Sequence, residues 1–182
     1  MLPISLKITE VKVPKNNLIN QFYPIMIAEL SHLSKPEQEI VYKAPLLVSI
    51  LIAGADGSID RREIHEGFQL MVKKSRSGSS AVAALFKEIS QDFEDKLKLL
   101  MQQYPYEHTR RNLLISEDIA RLNEVMQKLD NRFAIELYKS LLLLAETVAK
   151  ASGGFLGIKK IAEEEQRFIS LPMLHNPARQ SH

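Results

Sequence analysis

The residues whose spacing carries the most chemistry are the run Ala55-Asp56-Gly57-Ser58-Ile59-Asp60-Arg61-Arg62-Glu63. It reads D-G-x-I-D-x-x-E, the second half of an EF-hand loop. In that loop acidic side chains supply hard oxygen ligands to calcium, and the glycine permits a sharp turn. The first half is missing, because Ile52 and Gly54 stand where the first two ligands belong. A complete EF-hand is therefore excluded, and a tight acidic turn entering a helix remains. Two readings of it stand side by side. In one, Asp56 makes the turn, Asp60 caps the helix, and Glu63 sits in the first turn beside the positive dipole end. In the other, the carboxylates form a weak divalent-cation site. Oxygen ligands of this kind suit calcium, magnesium or manganese rather than zinc or copper.

A second segment echoes the first. Ala151-Ser152-Gly153 parallels Ala55-Asp56-Gly57, and Glu163 precedes Phe168 at the spacing by which Glu63 precedes Phe68. In both places a buried apolar helix ends at a small-residue turn and an acidic helix follows, a pattern of weak internal duplication. A buried helix, an A-D-G-x-I-D-x-x-E turn and a second such turn near the C-terminus resemble the tellurite-resistance TerB-like family. Asp56, Gly57 and Glu63 match its first motif. In the second, Ser152 replaces the usual acidic residue, and Gly154 to Gly157 lengthen the turn. The resemblance spans residues 36–171. It implies an all-helical bundle of about seven helices with an acidic site between pseudo-repeats. It further implies a divalent-metal role and a setting in bacterial stress responses near the membrane. Together with the acidic turn itself, this gives Asp56, Asp60, Glu63 and Glu163 as candidate metal ligands and Glu164 as a lesser one, with Asp56 and Glu63 primary and Asp60 a cap or outer acceptor.

Other chemistry lacks its residues. Cysteine is absent, which removes disulfides, thiolate nucleophiles and zinc–thiolate sites. H-E-x-x-H, paired E-x-x-H, G-x-x-x-x-G-K-[ST], G-x-G-x-x-G and G-x-S-x-G are all missing, so zincin, di-iron, nucleotide-cradle and hydrolase-elbow chemistries find no support. His65 is two residues from Glu63 and so off its helix face; it reads as an exposed polar residue. Arg110 and Arg111, with Tyr104 and Tyr106, read as a solvated helix start. Lys73, Lys74 and Arg76 read as cations favoured at a helix C-terminus.

The elements that must position the turn are helical. A period near 3.6 starts at Asn17, with a kink expected at Pro24. Ser34-Lys35-Pro36 starts the next helix, and Pro45 is expected to kink or restart it. Residues 46–55, LLVSILIAGA, are apolar nearly all round, which predicts burial on every side. Further helices are expected at about 60–75, 80–103, 108–129, 131–152 and 157–170. Residues 4–13 alternate and Pro14 closes them. With no second strand to pair, they read as an extended arm over residues 1–14 ahead of a helical domain over 15–171. Residues 172–182 read as a loose tail.

Composition agrees with one globular domain. The chain has 182 residues, of which 45% are hydrophobic and 25% charged, with a net charge of +2. That balance creates no field for nucleic acid or anionic lipid. The apolar stretch from Phe133 to Ala149 carries Glu136, Lys139 and Glu146, so it reads as a buried helix rather than a membrane span. No secretory signal is visible at the N-terminus, and a cytoplasmic setting is expected. The sequence thus points to an all-α, non-enzymatic TerB-like binding or scaffold protein. The alternative is a metal-free helical adaptor for a protein partner or a homo-oligomer.

Overall fold

The computed structural model describes residues 27–55, 57, 59–75, 80–152 and 167–179. Among them are seven α-helices: α1 Lys35–Ala53, α2 Arg61–Ser75, α3 Ala81–Ser90, α4 Phe93–Met101, α5 His108–Ala120, α6 Leu122–Met126 and α7 Asn131–Ser152. Short 3-10 turns occupy Ala28–Leu30 and Pro177–Arg179, and no described residue is in a strand. The arm over 1–14, the expected helix from Asn17 and most of the 157–170 helix lie outside the described residues.

The helices form one bundle around α1, which packs on each of the other six. That position accounts for its composition. Every residue from Ala44 to Ala55 is buried, as an apolar circumference demands. Pro45 does not restart α1; one helix runs through it. A mid-helix proline costs roughly 3 kcal/mol, and enclosure by six helices outweighs that. At the start of α1, Glu37 Oε2 accepts the Ser34 backbone N–H at 2.8 Å and the Ser34 hydroxyl at 2.6 Å, half of a capping box. α2 and α7 make the most extensive helix pair. Their closeness depends on Gly67, where a Cβ would lie 2.9 Å from Val148 Cα.

Two expected long helices are divided. The 80–103 segment turns at Asp92, which has φ 48°. Lys96, itself buried, donates to the carbonyls of Glu88 at 3.2 Å and Gln91 at 3.0 Å. It thereby satisfies the exposed end of α3 and fixes the corner. The apolar spacing through Leu85, Ile89, Phe93, Leu97 and Leu100 continues across the break because both short helices bury it in the same core. The 108–129 segment is interrupted at Arg121, which keeps right-handed backbone. The 131–152 helix stands as expected, with Asp130 Oδ1 accepting from the N–H groups of Arg132 at 3.0 Å and Phe133 at 3.2 Å.

The described part of the C-terminus is not loose. Residues 167–169 are helical, and Leu171, Leu174 and Pro177 are buried. Asn123 pins this segment by donating to Met173 O at 2.9 Å and accepting from His175 N–H at 2.8 Å. Alternation of apolar and polar residues is too sparse there to announce a packed segment. No helix among the described residues is long and apolar enough to cross a membrane.

Candidate functional site: the turn between α1 and α2

α1 ends at Gly54, whose N–H bonds Ile50 O at 2.9 Å. The chain then reverses, with Gly57 N–H donating to Gly54 O at 3.1 Å. Gly57 has φ +93°, a conformation that side-chain-bearing residues avoid. The glycine of the D-G pair is thus needed for backbone reasons. Asp60 Oδ1 accepts the Arg62 backbone N–H at 2.8 Å, which makes it the N-cap of α2, as its place in the sequence predicts. Its other oxygen faces the exposed Arg62 guanidinium at 3.7 Å. Glu63 lies in the first turn of α2 and is partly exposed.

A third element holds the turn. Glu107 caps α5 by accepting the N–H groups of Thr109 at 2.8 Å and Arg110 at 2.7 Å. Those bonds hold its carboxyl below the usual range. One residue into α5, the His108 ring lies against Gly57, where a Cβ would stand 3.3 Å from Nδ1. Arg111 and Asn112 are each only 6% exposed. Arg111 Nη2 donates to Gly54 O at 2.7 Å, and Nη1 reaches Tyr106 O at 3.4 Å. Asn112 Nδ2 reaches Ala55 O at 3.4 Å, while its Oδ1 is buried and accepts no hydrogen bond among the described residues. Gly54 is needed here too, since a Cβ would come within 2.8 Å of Arg111 Nη2.

This corrects the reading of Arg110–Arg111 as a solvated helix start. Arg110 is exposed, but Arg111 turns inward. Nothing local in the sequence distinguishes the two, because the acceptor of Arg111 is 57 residues away. Of the residues predicted as metal ligands, Asp60 and Glu63 are described. Asp56, Glu163 and Glu164 lie outside the described residues. Among the described residues, no three His, Cys, Asp or Glu side chains gather as a metal site would require. His65 is partly buried rather than free on the surface. It bonds Glu94 and packs edge-on to Phe93, joining α2 to α4.

Two other clusters have chemical content. A cleft of about 120 Å³ between α1 and α5 is lined by Ile40, Lys43, Leu47, Tyr104, Asp118 and Arg121. Tyr104 donates its hydroxyl to Asp118 at 2.6 Å. Burial, reinforced by the Asp118 carboxylate, raises the Tyr104 phenol well above its ordinary range. Asp118 is also paired with Arg121, and Lys43 with Glu39, so the cleft's charges are satisfied among themselves. In the core, Tyr42, Glu88 and Lys96 are buried from three different helices. Burial pushes the Tyr42 phenol up, with Glu88 adding to it, and pushes the Lys96 ammonium down. Among the described residues, neither Glu88 carboxylate oxygen meets a hydrogen-bond donor.

Comparison with protein-family models, with curated proteins and with solved structures finds no match to this chain. The functional argument accordingly rests on the chain's own geometry.

Proposed function

We propose that this chain is a non-enzymatic helical adaptor, a divergent TerB-like domain whose acidic turn works without a bound metal. The observation that carries this reading is Arg111. Its buried guanidinium already supplies positive charge to the turn and takes the Gly54 carbonyl at 2.7 Å. Cation and carbonyl together are what an oxygen-ligated ion would otherwise provide and use. The turn then serves as a corner that locks α1, α2 and α5 together. Binding falls to exposed apolar side chains of the same stretch that carries Arg111, where Tyr106 is 99% exposed and Leu113 on α5 is 59% exposed. Aromatic side chains with an apolar body and a polar tip are common anchors of protein interfaces. The partner is another protein or a second copy of this chain.

The second reading, a weak calcium, magnesium or manganese site tied to a stress response, draws support from Gly57 in its left-handed turn and from the partly exposed Asp60 and Glu63. One pair of measurements separates the two. Sedimentation velocity across a concentration series reads self-association, with a Tyr106→Ser, Leu113→Ser double variant as control. Calorimetric titration of metal-free protein with calcium and with manganese reads the metal. The adaptor reading expects no heat at about 1 mM ion, the weak end for calcium modules. It also expects that any association of the wild type is lost in the double variant. Heat from the wild type, with a sedimentation coefficient that neither concentration nor the double variant changes, replaces the adaptor by the metal site.

A further inference from the structure

The C-terminal end of α1 is where carbonyl oxygens lack helical partners and the helix dipole is negative. In this chain that end is buried: Ala53, Gly54 and Ala55 are all enclosed. An enclosed negative helix end attracts a cation. Arg111 answers it, reaching Gly54 O at 2.7 Å from a side chain only 6% exposed. Seating a charge there is costly unless it is paired and hydrogen-bonded, and Gly54 makes the approach possible by having no Cβ. The neighbouring oxygens are also of the kind that hard cations use. Among the described residues, Ala55 O receives only the long 3.4 Å contact from Asn112, and the buried Asn112 Oδ1 meets no hydrogen-bond donor. Oxygen atoms of backbone and amide groups are ordinary ligands of calcium and manganese, with water completing the shell.

We propose that the carbonyl end of α1 is a cation seat that Arg111 fills, and that a divalent cation and the guanidinium compete for it. This rests on the metal-free reading of the wild-type turn and gives its cause. Arg111 is then a positioning residue, with α5 delivering the counter-charge of a turn formed between α1 and α2. Arginine suits the place because it stays charged at any physiological pH and offers a fork of donors.

The test compares wild type, Arg111→Gln and Arg111→Lys in the full chain. Thermal melting and calorimetry are run in chelator, in calcium and in manganese at about 1 mM. The expected result is that wild type and Arg111→Lys give no heat and melt alike with and without ion. Arg111→Gln melts several degrees lower, gives heat with at least one ion and recovers part of its loss. If Arg111→Gln is unfolded in chelator, refolding on addition of calcium or manganese is the same positive result. A folded Arg111→Gln that neither gives heat nor gains melting temperature overturns the proposal, as does an unfolded one that no ion restores while Arg111→Lys folds. Heat in the wild type strikes the metal-free reading instead. Competition then survives only if Arg111→Gln binds the ion more tightly than wild type does, and equal affinity ends it.

Discussion

Asp60 does the work that a lone acidic residue before a helix is expected to do. Its Oδ1 takes the Arg62 N–H, one of the donors that a helix start leaves unpaired. Asp60→Ala should cost roughly 1 kcal/mol of unfolding free energy, read from a urea titration at neutral pH. A variant as stable as wild type would show that the cap is spare and that Asp60 is kept for another reason. The same scale shows what one-residue reasoning misses. Arg110 and Arg111 are neighbours of identical chemistry, yet one is solvated and the other is buried against Gly54. Gly54 and Gly57 look like a pair of turn glycines, but for different reasons. Gly57 needs its left-handed backbone, whereas Gly54 makes room for a guanidinium.

At the scale of elements, the bundle is tied by contacts that begin at helix ends. The start of α1 is joined to the loop between α6 and α7, where Lys128 Nζ meets Glu37 Oε1 at 2.5 Å and Lys128 O accepts the His32 Nε2–H at 2.8 Å. The bond from Lys128, then those from the Ser34 hydroxyl and N–H, hold the Glu37 carboxyl down from its ordinary 4.5 to about 2. A folded-state value below the unfolded one means stability that is present above the ordinary value. That stability is lost as pH falls through the folded value. The melting-temperature gap between wild type and Glu37→Gln should therefore be constant near neutrality, shrink between about pH 4.5 and pH 2, and close at the lower limit. A gap unchanged across that window would mean that the clamp does not contribute through its charge. Elements also show where periodicity runs out. The stripe from Leu85 to Leu100 reads as one helix, because a corner that leaves both halves facing one core leaves the pattern intact. The corner is made by Lys96 bonding back to Glu88 O and Gln91 O, and a lysine eight residues along carries no signal of that.

For the whole molecule, packing around α1 and against α7 decides stability. Gly67 tests this directly. Alanine is the better helix former by about 1 kcal/mol, yet its Cβ would stand 2.9 Å from Val148 Cα, and overpacking a tight contact costs typically ~1–3 kcal/mol. Gly67→Ala should thus lower the melting temperature, and an increase would mean that α2 and α7 separate at little cost. The sequence by itself determined the all-α class and the near-complete burial of residues 46–55. It also determined the extent of the 131–152 helix and the cap at Asp60. Each of these follows from local rules: apolar residues at a 3.6 period, an apolar circumference, and a carboxylate two residues before a free N–H. Only the tertiary structure decided that Pro45 leaves α1 whole, that two long helices break, and that Arg111 reaches into the turn. In each case the deciding partner is remote or comes from several elements at once: the six helices around α1, the lysine that closes α3, the guanidinium delivered by α5. A local pattern records what a residue would bury or cap. Which charge meets which carbonyl is settled when distant segments are brought within about 3 Å of one another, the range of a hydrogen bond.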